Sequence, residues 1–416
     1  MRQTQKNKKL AVGVACVIAA CALTACDVEN VTNDPSVTTE PSIWNAQQKQ
    51  QLLSLSIRHL PSIAEDASNR YQQNPQAVAL GAKLFFDARL SQSGTISCSV
   101  CHQPNREFSD GLRVASGIKK GQRNTPSLLG VSHQKWFFWD GRKDSVWAQA
   151  LEPFEDKTEH DLSRTQLIKI VLSDPDYKVL YDKIFDEVID TDVLSSWPNN
   201  ASPKRDLESL KAWKALSIDD RQQINRVFSN LGKAIAAYEA TLSYKVSRFD
   251  RYLDDLKAAK SSTQLSDSEI AGLKLFTGKA HCTTCHFSAL LSNQHFQNIG
   301  TGTRGKDMGR SRVAETQAWD IFNCLGEFSD APKTYCSDLT YMSKDRHGLS
   351  GSFKVPSLRN VVNTAPYLHD GRFKTLEQVV DFYANPPSKR RSGNHLPVIK
   401  LNHAEQSQLV EFLKTL

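Results

Sequence analysis

Methionine and long hydrophobic runs are what this 416-residue sequence has least of. One of its three methionines is the initiator, so only Met308 and Met342 can supply thioether groups to the rest of the chain. The apolar stretch at residues 10–23 is too short to span a bilayer, which argues against a polytopic membrane protein. A hydrophobic fraction of 39% with 23% charged residues excludes a disordered or collagen-like chain. The length predicts a globular protein of two or three domains.

The short apolar stretch has the pattern of an export signal. Three lysines precede it, and the sequence LTAC that follows ends at Cys26, as in the cleavage site of bacterial lipoproteins. We therefore predict a signal peptide over residues 1–25, a lipidated Cys26 and a flexible, polar tether over residues 26–46. Asp27 favours retention at the inner membrane, so the expected location is the periplasm with a lipid anchor as the only membrane contact. The alternative is an ordinary signal peptide with a chance cysteine.

Processing also removes most of the positive charge. The signal carries Arg2 and three lysines but no acidic residue, so its loss of four positive charges lowers the formal charge from +7 to +3. A balance this small provides no reason to expect a nucleic-acid partner.

The remainder of the chain has the pattern of a mainly α-helical protein with long loops and little β-structure. Amphipathic stretches recur, whereas the alternation typical of strands is scarce. Ser266 with Glu269, and Asn402 with Glu405, have the spacing of capping boxes and predict two helix starts.

The chain also contains an internal repeat. GAKLF precedes CSVCH in the first half, and GLKLF precedes CTTCH in the second. Downstream, PSL recurs 230 residues later at Pro126 and Pro356, and DGR recurs at the same offset at Asp140 and Asp370. The two C-x-x-C-H motifs are only 184 residues apart. The second copy therefore carries an insertion, at about residues 301–350.

The two C-x-x-C-H motifs are the strongest chemical signal. In c-type haem attachment both cysteines bond to the haem vinyl groups and the following histidine binds the iron. Zinc is the competing interpretation, but each motif supplies three ligands and has no fourth nearby. We predict two cytochrome c-like haem domains, over residues 47–245 and 246–416. The six residues that hold the two covalent haem c groups are Cys98, Cys101, His102, Cys282, Cys285 and His286.

Two further cysteines, Cys324 and Cys336, lie in the insertion. Because the compartment is oxidising and no other cysteine is unassigned, we predict a disulfide between them. The alternative is a pair of buried free thiols.

These motifs resemble those of the di-haem bacterial cytochrome c peroxidase and MauG family. The similarity covers about residues 75–416 and includes RNTPSLL, FFWDGR and FKVPSLRNVVNTAPYLHDGR. The resemblance implies a peroxidatic haem in the N-terminal half and an electron-transfer haem in the C-terminal half. It also implies that Gln149 and Glu159 lie on the distal side of the peroxidatic haem and that Trp139 lies between the haems. A calcium site is implied at Asn124, Thr364 and Pro366.

The resemblance also implies roles for the three catalytic positions. Glu159 would move the proton between the peroxide oxygens, Gln149 would orient the peroxide, and Trp139 would carry electrons between the haems. The residues taken alone leave simpler alternatives. Glu159 is one of several acidic residues in EPFEDKTEHD, and a tryptophan is most often core packing.

Two departures from the peroxidase pattern indicate a MauG-like branch. Residues 103–132 contain no histidine that would block the first iron, and Tyr383 stands where peroxidases carry a methionine ligand. We predict an open position at the first haem and His286 with Tyr383 at the second. A phenolate stabilises oxidised iron and lowers its reduction potential. If Tyr383 is instead an ordinary helix residue, Met308 or Met342 is the alternative ligand.

Together these features predict a periplasmic enzyme that uses hydrogen peroxide as oxidant. Its electrons would come from a small cytochrome c or cupredoxin, or from a protein substrate that it oxidises, as MauG does. The alternative is a non-catalytic di-haem electron carrier with both irons six-coordinate.

Overall fold

The computed structural model describes residues 43–186, 189–302, 307–313, 316–388, 393–394 and 396–416. The predicted signal peptide, the lipidated Cys26 and most of the tether lie outside the described residues. Ala46–Leu416 forms one compact unit. None of the helices in the described ranges is long and apolar enough to cross a membrane.

The prediction of a mainly helical fold is confirmed. The described α-helices are α1 (Ala46–Leu53), α2 (Pro75–Phe86), α3 (Cys98–Cys101), α4 (Val146–Glu155), α5 (Arg164–Ser173), α6 (Pro175–Phe185), α7 (Thr191–Ser196), α8 (Leu207–Ala215), α9 (Ile218–Glu239), α10 (Arg248–Lys257), α11 (Asp267–Thr277), α12 (Ser337–Thr340), α13 (Leu376–Ala384) and α14 (His403–Leu413). Two short strands, β1 (Phe296–Gln297) and β2 (Phe353–Lys354), pair antiparallel.

Both predicted capping boxes are present. At the start of α11, the Ser266 hydroxyl accepts a hydrogen bond from the Glu269 backbone N–H, and the Glu269 carboxylate accepts one from the Ser266 backbone at 2.8 Å. Asn402 and Glu405 make the same exchange at α14. Each box pairs two backbone N–H groups that a helix start otherwise leaves without partners, and so defines where the helix begins.

Each half is built on two helices that cross at a glycine. Gly81 of α2 lies against the main chain of α9 at Ala234, and Gly272 of α11 lies against α14 at Gln408. A Cβ atom at either glycine would collide with the facing carbonyl group, so only glycine permits this approach. These are the glycines of GAKLF and GLKLF, and the repeated motif therefore marks the same crossing in both halves.

Two reciprocal hydrogen bonds join the halves. The Asn124 N–H donates to the His369 carbonyl at 2.8 Å, and the Lys354 N–H donates to the Trp139 carbonyl at 2.8 Å. The two donors are 230 residues apart, and so are the two acceptors. The repeat therefore appears in the structure as a local pseudo-twofold relation. In each half, a backbone N–H donates to the carbonyl of the residue that directly precedes the DGR motif of the other half.

The insertion packs into the core of the N-terminal half. Phe322 is 2% exposed, and its ring lies 6.3 Å from that of Trp147 and 5.6 Å from that of Phe228, measured between centroids. Asp330 pairs with Lys233 of α9 at 2.7 Å. The insertion belongs to the second half in sequence, but its apolar side chains complete the first half's core.

A disulfide closes the same segment. The Sγ atoms of Cys324 and Cys336 are 2.00 Å apart. Close by, the Cys324 N–H donates to the Asp144 carboxylate at 2.8 Å, and Asp320 pairs with the buried Lys143 at 2.5 Å. The insertion is thus attached to the loop that precedes α4.

Candidate active site

The first C-x-x-C-H motif forms a single helical turn. The Cys98–Cys101 segment is α3, and the His102 N–H donates to the Cys98 carbonyl at 2.8 Å. The His102 Nδ1 atom lies 3.0 Å from the Phe108 carbonyl oxygen. Because a carbonyl can only accept, Nδ1 carries the proton and Nε2 is left as the electron-pair donor. Burial lowers the pKa of His102, which keeps the ring neutral.

The second motif repeats this arrangement. Cys282–Thr284 is a 3₁₀ turn, and the His286 N–H donates to the Cys282 carbonyl at 2.9 Å. The His286 Nδ1 atom lies 2.8 Å from the carbonyl oxygen of Leu291. Burial lowers the pKa of His286 to about 4. Both histidines therefore present a neutral ring with Nε2 available to iron.

The chemistry of these side chains fits covalently attached haem. All four motif cysteines are free and half-buried. Burial raises the pKa of Cys101 to about 11 and that of Cys282 to about 12, so these thiols are uncharged at neutral pH. No group of three His, Cys, Asp or Glu side chains in the described ranges is arranged to hold a metal ion. Each motif offers two thiols for the vinyl groups and one imidazole for the iron.

Glu159 is close enough to the first motif for its charge to act on the motif's thiols. It lies in the turn after α4, where its backbone N–H donates to the Asp156 carbonyl at 3.1 Å. Burial raises the pKa of Glu159 to about 7; Asp156 raises it further and Arg142 opposes the rise. The Glu159 carboxylate in turn raises the pKa of the Cys98 and Cys101 thiols. A carboxyl group that titrates near neutrality suits proton transfer at this site.

The neighbouring acids are committed to ion pairs. Glu152 pairs with Lys143 at 2.9 Å, and Glu155 pairs with the buried Arg164 at 2.6 Å. Glu159 forms no ion pair with any residue that the structure describes. Of these three carboxyl groups in EPFEDKTEHD, it is the one free to exchange a proton.

Gln149 lies on α4, in the helix that leads to Glu159. Its side chain is half-buried and makes no hydrogen bond with a described residue. An amide without an internal partner remains available to a ligand.

Trp139 is held from both halves of the chain. Its indole N–H donates to the Asn124 carbonyl at 2.9 Å, and its own carbonyl accepts from the Lys354 N–H at 2.8 Å. Trp139 is half-buried rather than packed in the core. The tryptophan therefore lies at the junction of the halves.

The three predicted calcium residues lie at the same junction. Asn124 hydrogen-bonds to His369, which follows Thr364 and Pro366 closely in sequence, and the Ala365–Pro366 peptide bond is cis. Neither the Asn124 Oδ1 atom nor the carbonyl oxygens of Thr364 and Pro366 accept a hydrogen bond from a described residue. Neutral oxygens of this kind are suitable calcium ligands.

Tyr383 lies near the second motif. Burial raises the pKa of the Tyr383 hydroxyl, and the Cys282 and Cys285 thiols raise it further, which places the hydroxyl within their field. By contrast, the Met342 sulfur accepts a hydrogen bond from the Arg310 guanidinium at 3.3 Å. The thioether of Met342 is thus already engaged elsewhere.

Sequence reasoning missed Arg142. Its guanidinium group lies 3.4 Å from the centroid of the Phe138 ring and pairs with Asp140 at 3.2 Å, while its charge acts on Glu159. The signal was present, because this arginine belongs to the repeated DGR motif. Nothing in the sequence indicates, however, that the two carbonyl groups at Phe108 and Leu291 orient the motif histidines.

Comparison with known proteins is consistent with this site. Residues 75–258 match the family model described as di-haem cytochrome c peroxidase. The methylamine utilization protein MauG of Methylorubrum extorquens is 28% identical over 96% of this chain and 94% of its own length. The cytochrome c551 peroxidase of Nitrosomonas europaea is 30% identical over 83% of this chain and 80% of its own length.

Solved structures are similar over most of the chain. A MauG-like protein associated with microbial copper homeostasis has a TM-score of 0.60 and 25% identity, and the match covers 86% of this chain and 93% of that one. The diheme peroxidase BthA from Burkholderia thailandensis has a TM-score of 0.61 at 22% identity, over 85% of this chain and 88% of that one, which supports the fold.

Proposed function

The chain belongs to the di-haem cytochrome c peroxidase family, and from that membership we propose that it reduces hydrogen peroxide in the periplasm at the haem attached to Cys98 and Cys101. Family membership brings two haem c groups and peroxidase-type oxidoreductase chemistry. The observation that best supports the assignment of the reaction to this haem is Glu159, a carboxyl group with no ion pair among the described residues, whose charge acts on Cys98 and whose pKa is raised to about 7.

The proposed mechanism assigns the proton to this chain's own side chains. When bound, the haem supplies an iron site for peroxide and the redox chemistry. Glu159 accepts the proton from one peroxide oxygen and returns it to the other, and the Gln149 amide orients the peroxide by hydrogen bonding. Reduction of hydrogen peroxide to two waters consumes two electrons and two protons in all. Trp139, fixed between the halves, lies on the proposed path of the electrons.

The raised pKa of Glu159 predicts the pH dependence of the reaction. The proton acceptor must be ionised, and the pKa is about 7, so ionisation is lost as the pH falls below that value. We expect the second-order rate constant with peroxide to fall about tenfold per pH unit below pH 7 and to level off above it. Stopped-flow measurement between pH 5 and pH 9 checks this. A profile that is flat across pH 7 would contradict the role of Glu159.

We further propose that Tyr383 is the sixth ligand of the second haem. Replacing it with phenylalanine removes the phenolate oxygen, so we expect the low-spin absorption and electron paramagnetic resonance signals of that haem to change. Met342→Leu is the matched control, because its sulfur is bonded to Arg310, and it should leave those signals as they are. The opposite pattern, a silent Tyr383→Phe with an altered Met342→Leu, would assign the ligand to Met342.

A MauG-like reaction is the second candidate. Tyr383 and the lack of histidine at residues 103–132 favour it, since both indicate an open first haem and a second haem that retains oxidising equivalents. The electron source would then be a protein substrate rather than a small cytochrome c or cupredoxin.

Mixing the ferric protein with hydrogen peroxide tests the enzyme assignment. An open first haem predicts a high-spin ferric signal in the isolated protein and a fast spectral change with peroxide. A slowly decaying oxidised spectrum would favour the protein-oxidising reaction, and prompt return with a reduced cytochrome c would favour peroxide detoxification. An entirely low-spin protein that is inert to peroxide would identify the electron-carrier alternative.

The remaining assignments concern location and calcium. We propose that the chain is anchored to the inner membrane through lipid on Cys26 and contacts the membrane in no other way. We also propose that Asn124, Thr364 and Pro366 hold calcium between the halves. The support for calcium is the set of neutral oxygens that these residues leave without hydrogen-bond donors among the described residues.

A further inference from the structure

In the repeat, a lysine occupies the position equivalent to one residue of the proposed calcium site. The 230-residue offset relates Asn124 to Lys354 and Thr364 to Gln134. The structure confirms this register, because Asn124 and Lys354 make the reciprocal hydrogen bonds that join the halves. One copy therefore has an amide oxygen at the position where the other has an ammonium group.

The Lys354 side chain is half-buried, and no described residue gives it an anionic partner. Its Nζ atom donates to the Oε1 atom of Gln134, and Lys354 forms no ion pair with any described residue. Burial lowers its pKa to about 8. The pairing of Lys354 with Phe296 in the two-stranded sheet, together with its backbone bond to Trp139, fixes the base of the side chain.

A fully buried cation, Arg310, belongs to the same region of the chain. Arg310 is 1% exposed, stacks 4.6 Å from the centroid of the Trp136 ring, and donates to the Gly141 carbonyl. It forms no ion pair in the described part of the chain. Trp136 and Gly141 flank Trp139 in sequence, so two cations border the same loop. Keeping a cation out of water without an anion is costly, and such groups are normally paired.

The anion that this chemistry requires is a carboxylate, and each haem carries two propionates. We propose that Lys354 is the counter-ion of a haem propionate beside Trp139, and that it serves as the chain's own cation at the position where the other half of the repeat takes calcium. The inference rests on the proposed function, because the propionate arrives with the haem. Lys354 is a positioning residue whose charge sets the potential of the nearer haem.

The charge has a predictable electrostatic consequence. A fixed positive charge near iron stabilises the reduced form relative to the oxidised form, so its loss lowers the midpoint potential. In the holoprotein, we expect Lys354→Met to lower the equilibrium constant for one-electron reduction of one haem about tenfold. This corresponds to a midpoint potential lower by 59 mV. Lys354→Arg keeps the charge, so its equilibrium constant for haem reduction should stay within about threefold of the wild-type value.

Spectroelectrochemical titration of the two haems, without peroxide, makes the measurement. Lys344→Met is the matched control, since it removes an exposed lysine from the same half and should leave both potentials unchanged. Lys354→Gln, which keeps a polar side chain toward Gln134, replaces the methionine variant if that variant does not fold. Haem content is measured in every variant from the pyridine haemochrome spectrum.

The outcomes separate this inference from the proposed function. A lowered potential at one haem in Lys354→Met, restored in Lys354→Arg, supports it. Unchanged potentials in a Lys354→Met or Lys354→Gln protein that holds two haems would overturn it and leave the peroxidase assignment intact. Equal shifts in the methionine and arginine variants would also overturn it, because they would report packing rather than charge. A wild-type protein without covalent haem would overturn both.

Discussion

Replacing Glu159 with glutamine is expected to slow peroxide turnover by a factor of about 10² to 10⁴, the range typical of a lost general acid–base group. Glutamine is similar in size and keeps a hydrogen-bonding end, but it cannot take up or return the proton. The pH dependence near 7 should vanish together with the rate, since the group whose pKa is raised to about 7 is the one removed.

Glu208→Gln is the matched control, because this glutamate lies on the exposed side of α8 in the same half of the chain. It should turn over peroxide at the wild-type rate. Equal rates in the Glu159 and Glu208 variants would mean that another group moves the proton. Normal haem content and an unchanged ferric spectrum in Glu159→Gln are required, so that slow turnover reports proton transfer and not loss of the haem.

Replacing Phe322 with alanine is expected to lower the free energy of unfolding by about 3 to 5 kcal/mol, as for other fully buried phenylalanines. Its ring is 2% exposed and lies among Trp147, Phe228 and Phe328, with the Arg164 guanidinium 5.0 Å from its centroid. Alanine leaves a cavity in this cluster, and it also removes one face against which the buried arginine packs. Denaturant unfolding followed by circular dichroism measures the change.

Tyr341→Ala tests whether position within the insertion matters. Tyr341 is 84% exposed, so its loss should change the unfolding free energy by no more than about 0.5 kcal/mol. If Phe322→Ala costs as little as Tyr341→Ala, the insertion is not part of the N-terminal core. A large loss confined to Phe322 would show that the first half cannot reach full stability without a segment from the second.

Several structural features could be predicted from patterns in the sequence. The capping boxes at Ser266 and Asn402 depend on residues within a few positions of each other, so spacing alone predicted them. The repeated GAKLF and GLKLF motifs were also visible, but the helix crossings at their glycines were not, because the facing residues Ala234 and Gln408 are far away in sequence. Pairing Cys324 with Cys336 needed only a count of cysteines and an oxidising compartment. The 230-residue offset predicted the relation between the halves, and the reciprocal bonds of Asn124 and Lys354 follow it.

Contacts between segments that are far apart in sequence could not be predicted from the sequence patterns. Without the family resemblance, Glu159 could not be distinguished from its acidic neighbours until Lys143 and Arg164 were seen to pair with Glu152 and Glu155. Those partners come from elsewhere in the chain, and no periodicity reports them. The insertion presented the same problem, because its apolar residues could have covered either half.

By itself, then, the sequence determined the helical class and the repeat, predicted the sites of haem attachment, and showed the scarcity of methionine that drew attention to Tyr383. Only the tertiary structure decided that, among the described residues, Glu159 has no ion-pair partner, that Phe322 completes the first half's core, and that the half-buried Lys354 ammonium has no anion beside it. The physical reason is the range of the interactions. Helix starts and C-x-x-C-H turns are local, whereas burial and charge pairing depend on which distant segments exclude water from a side chain.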